Sequence, residues 1–166
     1  NIPYDQYGGG VAGALHNAPP IFFEPTESQV SPNSPNALLE VVNFLLQLGI
    51  AHLELDKVDP SRVVGMGLWY QLELAINSHR AALDILADPS LDGILPSTQK
   101  DEYKAALYFL IGEAYSSDPE QQHLQEGLEH YEKSKELFGQ LRQSHPSDKL
   151  WMNKGFADAC KQIGVT

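Results

Sequence analysis

The chain of 166 residues is long enough for one domain with a buried core, and 42% apolar with 20% charged residues is ordinary for a globular protein. Its 11 basic against 22 acidic residues leave a formal charge of −11. That charge repels phosphate backbones and anionic lipids, so nucleic acid and membrane surfaces are not expected partners. The single cysteine, Cys160, excludes a disulfide and a cysteine-based metal site within one chain, which favours the cytoplasm or another reducing compartment.

Residues 1–35 are predicted to form an extended leader with no core of its own, because they are rich in proline and glycine and show no helical period. Between prolines they carry the apolar residues Ile21, Phe22 and Phe23. We expect these three residues to anchor the leader, since a segment without a core becomes ordered only against another surface. No Lys or Arg precedes Lys57, which argues against a signal peptide.

Residues 36–166 are predicted to form one all-α domain of about five helices. The first, about 35–56, has apolar residues around most of its circumference, so we expect it to be buried on more than one side. Proline at the first helical position after Ser or Asp marks several helix starts. The other expected helices run from Asp59 to Ala87, from a Thr98–Asp101 capping pair to Tyr115, from Asp118 to Ser144, and from Ser147 to Gly164.

The most apolar run, Ala37–Leu55, is long enough to span a bilayer. It contains Glu40 and Glu54 among other polar residues, and each charge near the bilayer centre costs roughly 2–3 kcal/mol. A core helix is therefore the expected role of this run, and no membrane insertion is predicted.

An internal repeat relates the helices to one another. When the helices are aligned on their apolar pattern, three carry glycine at the same position, namely Gly49, Gly112 and Gly155. Glycine inside a helix costs about 1 kcal/mol relative to alanine, so these glycines favour close helix–helix contacts with no room for a side chain. The intervening helices also match in small and ring-bearing residues, with Ala75, His79 and Ala82 in one and Gly127, Tyr131 and Ser134 in the other.

The third and fourth helices resemble the paired helices of a tetratricopeptide (TPR) repeat. The residues that carry the resemblance are Tyr108, Ile111, Gly112 and Tyr115, followed by Gly127, Tyr131 and Ser134. The aligned glycines lie 63 and 43 residues apart, against about 34 residues in the family, so the chain is similar to a divergent member. The alternative is an ordinary five-helix bundle with coincidental glycines.

The resemblance implies antiparallel hairpins in a right-handed superhelix, a C-terminal capping helix, and a groove lined by the first helix of each hairpin. In the family this groove binds a peptide, so the implied function is a non-enzymatic scaffold, adaptor or complex subunit with a protein or peptide partner. The leader of the chain is one candidate occupant. Core packing is the alternative role for the apolar members of the groove. The positions implied to line it are Asn43, Leu46, Ile50, Phe109, Glu113, Lys149, Met152 and Phe156.

A second hypothesis is a helical metal-binding protein or enzyme. Glu120 and His123 match Glu-x-x-His, one element of a di-iron carboxylate bundle, which needs two such motifs and two further glutamates. Only one copy is present, so we predict no catalytic residue, metal or cofactor. A third hypothesis is a structural subunit or a fragment of a longer repeat array, because the last helix is unpaired.

Overall fold

The computed structural model describes residues 35–58, 68–118, 121–144 and 150–165. Within these ranges the protein is all-α, with no strand, as predicted. The leader and the predicted helix starts at Asp59 and Ser147 lie outside the described residues. The five helices are α1, Pro35–Val58; α2, Leu68–Leu86; α3, Ser97–Ser116; α4, Leu124–Ser144; and α5, Leu150–Val165.

The connection between α2 and α3 contains a 3₁₀ turn, Pro89–Leu91. Asp88 caps this turn, because its side chain accepts a hydrogen bond from the backbone N–H of Ser90 at 2.8 Å. The predicted Thr98–Asp101 capping pair is wrong, since α3 begins at Ser97 after Pro96 and no side chain caps it.

The predicted start of α4 at Asp118 is also wrong, because the helix begins at Leu124. Gln121 has a φ of 55°, in the left-handed region that a right-handed helix cannot contain. Asp118 nevertheless caps the turn that precedes α4, where its Oδ2 accepts from the backbone N–H of Gln122 at 3.0 Å.

Each helix packs mainly on its neighbours in the chain, most extensively within the pairs α1–α2 and α3–α4, which gives two clusters of buried side chains. The first cluster joins α1, α2 and one face of α3, and the second joins the opposite face of α3 with α4 and α5. α3 therefore contributes buried side chains to both clusters, one set from each of two opposite faces. It contributes Leu107, Leu110, Ile111, Ala114 and Tyr115 to the first cluster and Ala105, Ala106 and Phe109 to the second.

A ring from a neighbouring helix lies against each of the three aligned glycines. A Cβ added at these glycines would lie 2.1–2.8 Å from the nearest ring atom, closer than real side chains approach. The prediction that these glycines mark contacts with no room for a side chain is therefore confirmed. The pairs are Gly49 with His79, Gly112 with Tyr131, and Gly155 with Phe138.

α1 buries one stripe of side chains, so the expectation that it is buried on more than one side was wrong. Its opposite face leaves Val41, Phe44 and Leu55 exposed by 42%, 63% and 57%. Among the described helices, α1 over residues Pro35–Leu55 is long and apolar enough to cross a membrane. The buried stripe consists of Leu39, Val42, Leu46, Ile50 and Leu53.

Candidate functional site

Three apolar residues of the predicted groove lie in the core. Leu46 and Ile50 are buried in the first cluster. Phe109 is buried in the second cluster, where its ring centroid lies 5.4 Å from that of Tyr131. In this structure, these three side chains present almost no surface to a peptide.

The other described groove residues are partly exposed and have partners within the chain. Asn43 joins α1 to α3, because its Oδ1 accepts a hydrogen bond from the hydroxyl of Tyr103 at 2.8 Å. Phe156 is half-buried beneath the guanidinium of Arg142, whose Cζ lies 4.7 Å from the ring centroid. Glu113 is half-buried on α3.

The remaining predicted site residues lie outside what the structure describes. These are Lys149, the side chain of Met152, and the leader residues Ile21, Phe22 and Phe23. Their predicted roles in the groove and as an anchor stay predictions.

The most exposed apolar surface within the described ranges lies on α1. Six of its apolar residues recur at alternating intervals of four and three, which places them in one stripe along the helix. The stripe is about 27 Å long, at the helical rise of about 1.5 Å per residue. We call it the α1 outer face, and it consists of Ala37, Val41, Phe44, Leu48, Ala51 and Leu55.

Polar residues border the α1 outer face on both sides. Helical geometry places Glu40, Gln47 and Glu54 along one edge, where all three are exposed. His52 lies along the other edge, with its Nδ1 2.8 Å from Oε1 of Gln71 on α2. An apolar stripe with an acidic edge is thus presented to solvent.

The predicted internal repeat gives an interpretation of this surface. Aligning Gly49 with Gly112 places Phe44, Leu48 and Ala51 at the positions of Leu107, Ile111 and Ala114 in α3. Those three α3 residues are fully buried in the first cluster, where α3 packs mainly on α2. In this alignment the α1 outer face corresponds to a helix-packing face of α3, and none of the described residues covers it in that way.

The sequence contained the pattern that marks this face. The two apolar stripes of α1 lie on opposite sides of one helix, and together they produce the apolar circumference that predicts burial on more than one side. Separating the regular four–three spacing of residues 37–55 from the buried stripe would have identified two faces. It would not have shown which of these two faces is covered by α2.

His123, the histidine of the predicted Glu-x-x-His motif, lies with His130 in a group of rings between α2, α3 and α4. His123 stacks on Trp69, with ring centroids 4.3 Å apart, and His130 lies 5.5 Å from Tyr115. Within the described ranges, no group of three His, Cys, Asp or Glu residues is placed to hold a metal ion. Glu120, the other half of the predicted motif, lies outside those ranges.

Comparisons of the chain with protein-family models, curated proteins and solved structures found no match. The resemblance to TPR repeats therefore rests on the residues and contacts of the chain itself. The same is true of any function assigned to the α1 outer face.

Proposed function

We propose that this chain is a non-enzymatic protein–protein interaction module that receives a helix of a partner protein on the α1 outer face. The observation that carries the proposal is the exposure of Phe44 at a position whose α3 counterpart, Leu107, is fully buried. Contiguous exposed apolar surface bordered by polar residues is typical of interaction sites. Covering the rest of Phe44 alone would contribute about 1–2 kcal/mol before ordering costs.

The internal repeat supports a helical occupant. In the corresponding contact of the first cluster, the element that covers the α3 face is α2, which is itself a helix. The alternating spacing of the α1 outer face is that of a seam between two packed helices. The expected partner segment is an amphipathic helix with an apolar stripe about five turns long.

The negative charge of this chain favours a partner helix that has basic residues along one edge of its apolar stripe. Glu40 and Glu54 border the stripe, and the whole chain carries a formal charge of −11. Lys or Arg beside the apolar stripe of the partner would be attracted to this edge and would fix its orientation. A second copy of this acidic chain is disfavoured for the same reason, and the leader has no Lys or Arg to offer.

The proposed scaffold is TPR-like. Two equivalent ring-on-glycine pairs, Gly49 with His79 and Gly112 with Tyr131, support the pairing of α1 with α2 and of α3 with α4 as related hairpins. Consecutive packing of the helices, with α5 following α4, supports a short repeat array. In such an array the first helix offers its outer face to whatever precedes it or binds there.

The test measures binding of labelled helical peptides to the full chain by fluorescence anisotropy. One peptide spans residues 68–86, the segment that covers the counterpart face, and a basic form carries Glu73→Lys and Asp84→Lys. We expect the basic form to bind more tightly than the native form. A third peptide spans residues 17–30 and represents the leader.

Phe44→Glu is expected to weaken binding of the basic peptide at least tenfold, since it places a charge in the centre of the seam. Ile94→Glu is the matched control, because Ile94 is also an exposed apolar residue but lies outside α1. If the Phe44→Glu protein bound the basic peptide as tightly as the unchanged protein does, the proposal would be overturned. Preferential binding of the leader peptide would assign the face to an extended occupant instead of a helix.

A further inference from the structure

A second surface, on α2, α3 and α4, combines aromatic rings with basic side chains. We call it the Arg80 cluster, and it shares no residue with the α1 outer face. Its rings lie 5.5–6.0 Å from their neighbours, measured between centroids. The cluster consists of Arg80, Tyr108, Tyr115, His130 and Lys133.

Arg80 and Tyr115 form the hydrogen-bonding end of the cluster. Nη2 of Arg80 donates to the hydroxyl oxygen of Tyr115 at 2.7 Å. Because that oxygen accepts the bond, the hydroxyl hydrogen of Tyr115 is left to donate elsewhere. Within the described ranges it has no acceptor, and the other N–H groups of the Arg80 guanidinium have none either.

His130 lies between the two tyrosines, with its ring centroid 6.0 Å from that of Tyr108 and 5.5 Å from that of Tyr115. Its Nδ1 donates to the backbone carbonyl of Glu126 at 2.7 Å. This bond fixes the tautomer, so that Nε2 is the nitrogen left for another partner. Lys133 places its Nζ 5.6 Å from the ring centroid of Tyr108.

The two basic residues of the cluster have partners of a different kind from those of Lys100 and Lys104. Lys100 pairs with Asp92 and Lys104 with Asp101. Arg80 and Lys133 instead lie against tyrosine rings, and neither contacts a carboxylate within the described part of the chain. This occurs in a sequence with twice as many acidic as basic residues.

The surroundings of His130 disfavour additional positive charge. Burial lowers the pKa of His130, and Lys133 and Arg80 lower it further. The hydrogen bond to the Glu126 carbonyl and the carboxylate of Glu129 act in the opposite direction but do not reverse the effect. The carboxylate of Glu126 lies beside a different histidine, with its Oε1 3.5 Å from Nδ1 of His123. A bound anion would relieve the repulsion within the cluster.

We propose that the Arg80 cluster binds the phosphate group of a phosphorylated ligand. Arg80 and Lys133 would supply two positive charges, which match a phosphate dianion better than a single carboxylate. The hydroxyl of Tyr115 and the protonated Nε2 of His130 would donate hydrogen bonds to its oxygens. A single phosphate needs only this local field, whereas a nucleic acid backbone would meet the acidic remainder of the surface.

The test follows the imidazole resonances of His130 in the full chain by NMR while phenyl phosphate is added. We expect saturable binding that raises the pKa of His130 by about one unit, as expected for an opposite charge placed within a few ångströms. Phenylacetate has a similar ring but a carboxylate, and it should bind at least tenfold more weakly. Inorganic phosphate binding as tightly as phenyl phosphate would support the same site with a free anion as its ligand.

Arg80→Gln should weaken phenyl phosphate binding at least tenfold. Arg142→Gln is the matched control, because Arg142 also lies over an aromatic ring, that of Phe156, but outside the cluster. Unchanged binding by the Arg80→Gln protein would overturn the proposal. Equal binding of phenylacetate and phenyl phosphate would overturn the assignment of phosphate.

Discussion

The α1–α2 and α3–α4 hairpins use the same contact with different rings. In both, the ring of the second helix occupies the space left by a glycine of the first, with His79 against Gly49 and Tyr131 against Gly112. Both rings are fully buried. The fold thus requires a flat ring at this position but does not prescribe its chemistry.

The chemistry of the ring decides how each hairpin responds to acid. Nε2 of His79 lies 3.3 Å from the Leu46 carbonyl, to which it donates, while Nδ1 has no partner among the described residues. Burial lowers the pKa of His79 to about 4, and nearby His52 lowers it too, against the Leu46 hydrogen bond. For Tyr131 burial raises the pKa, so its ring stays neutral at all ordinary pH values.

The largest expected effect comes from filling the glycine contacts. A Cβ at Gly49 would lie 2.1 Å from Nε2 of His79, whereas a Cβ at Gly112 would lie 2.8 Å from Cδ1 of Tyr131. We expect Gly49→Ala to lower the free energy of unfolding by about 3 kcal/mol and Gly112→Ala by about 1–2 kcal/mol, after the gain in helix propensity. Urea denaturation followed by circular dichroism measures both values.

Gly139→Ala is the control for this comparison. Gly139 lies inside α4, and a Cβ there would be 3.4 Å from Phe156, which is an ordinary contact. The substitution should leave stability unchanged or raise it by up to about 1 kcal/mol. If Gly49→Ala changed the free energy of unfolding as little as Gly139→Ala does, the close packing of α1 on α2 would not depend on this contact.

The second prediction concerns acid and the first hairpin. Unfolded His79 titrates near 6.5 and folded His79 at about 4, so the unfolded state binds more protons between these values. Its contribution to stability is complete above pH 6.5 and is lost as the pH falls towards 4, with about 2 kcal/mol lost between pH 7 and pH 5. Denaturant titrations at several pH values measure this slope.

His79→Phe keeps a ring at Gly49 but removes the titrating group, so the slope between pH 7 and pH 5 should become shallower. It should not vanish, because burial also lowers the pKa of His130. Tyr131→Phe is the matched change in the second hairpin and should leave the slope as it is. An unchanged slope in the His79→Phe protein would show that another group controls the acid response.

The comparison also shows which features the sequence could predict. The close contacts at the three glycines followed from aligned residues, because a glycine inside a helix is costly unless a neighbour needs its space. The start of α4 did not follow, since Asp118 caps a turn at Gln122 and Gln121 takes a left-handed conformation before the helix begins. Local residue preferences are alike for a capped turn and a capped helix.

The candidate site was harder to predict than the fold. Periodicity shows that α1 has apolar residues on both sides, but tertiary packing determines that Leu46 is covered and Phe44 is not. For the same reason, the groove positions inferred from the family resemblance included Phe109, although its ring lies against that of Tyr131. The repeat alignment distinguishes the two faces only after the buried face of α3 is known.

The smallest expected effect tests the repeat alignment at a single hydrogen-bonded pair of residues. The buried Ser134 hydroxyl donates to the carbonyl of Ala105 at 2.8 Å. Its counterpart in the first hairpin is Ala82, and the counterpart of Ala105 is Val42. We expect Ser134→Ala to cost about 1 kcal/mol, and Ala82→Ser to cost no more than that if the new hydroxyl reaches the Val42 carbonyl.

A loss of about 2–3 kcal/mol in the Ala82→Ser protein would contradict the alignment, because it would indicate a buried hydroxyl without an acceptor. Denaturant unfolding of both variants and of their combination measures these differences. The result bears on the α1 outer face as well. The same alignment equates Phe44 with Leu107, so a hydroxyl that finds its acceptor in the first hairpin strengthens the case that a helix belongs on that face.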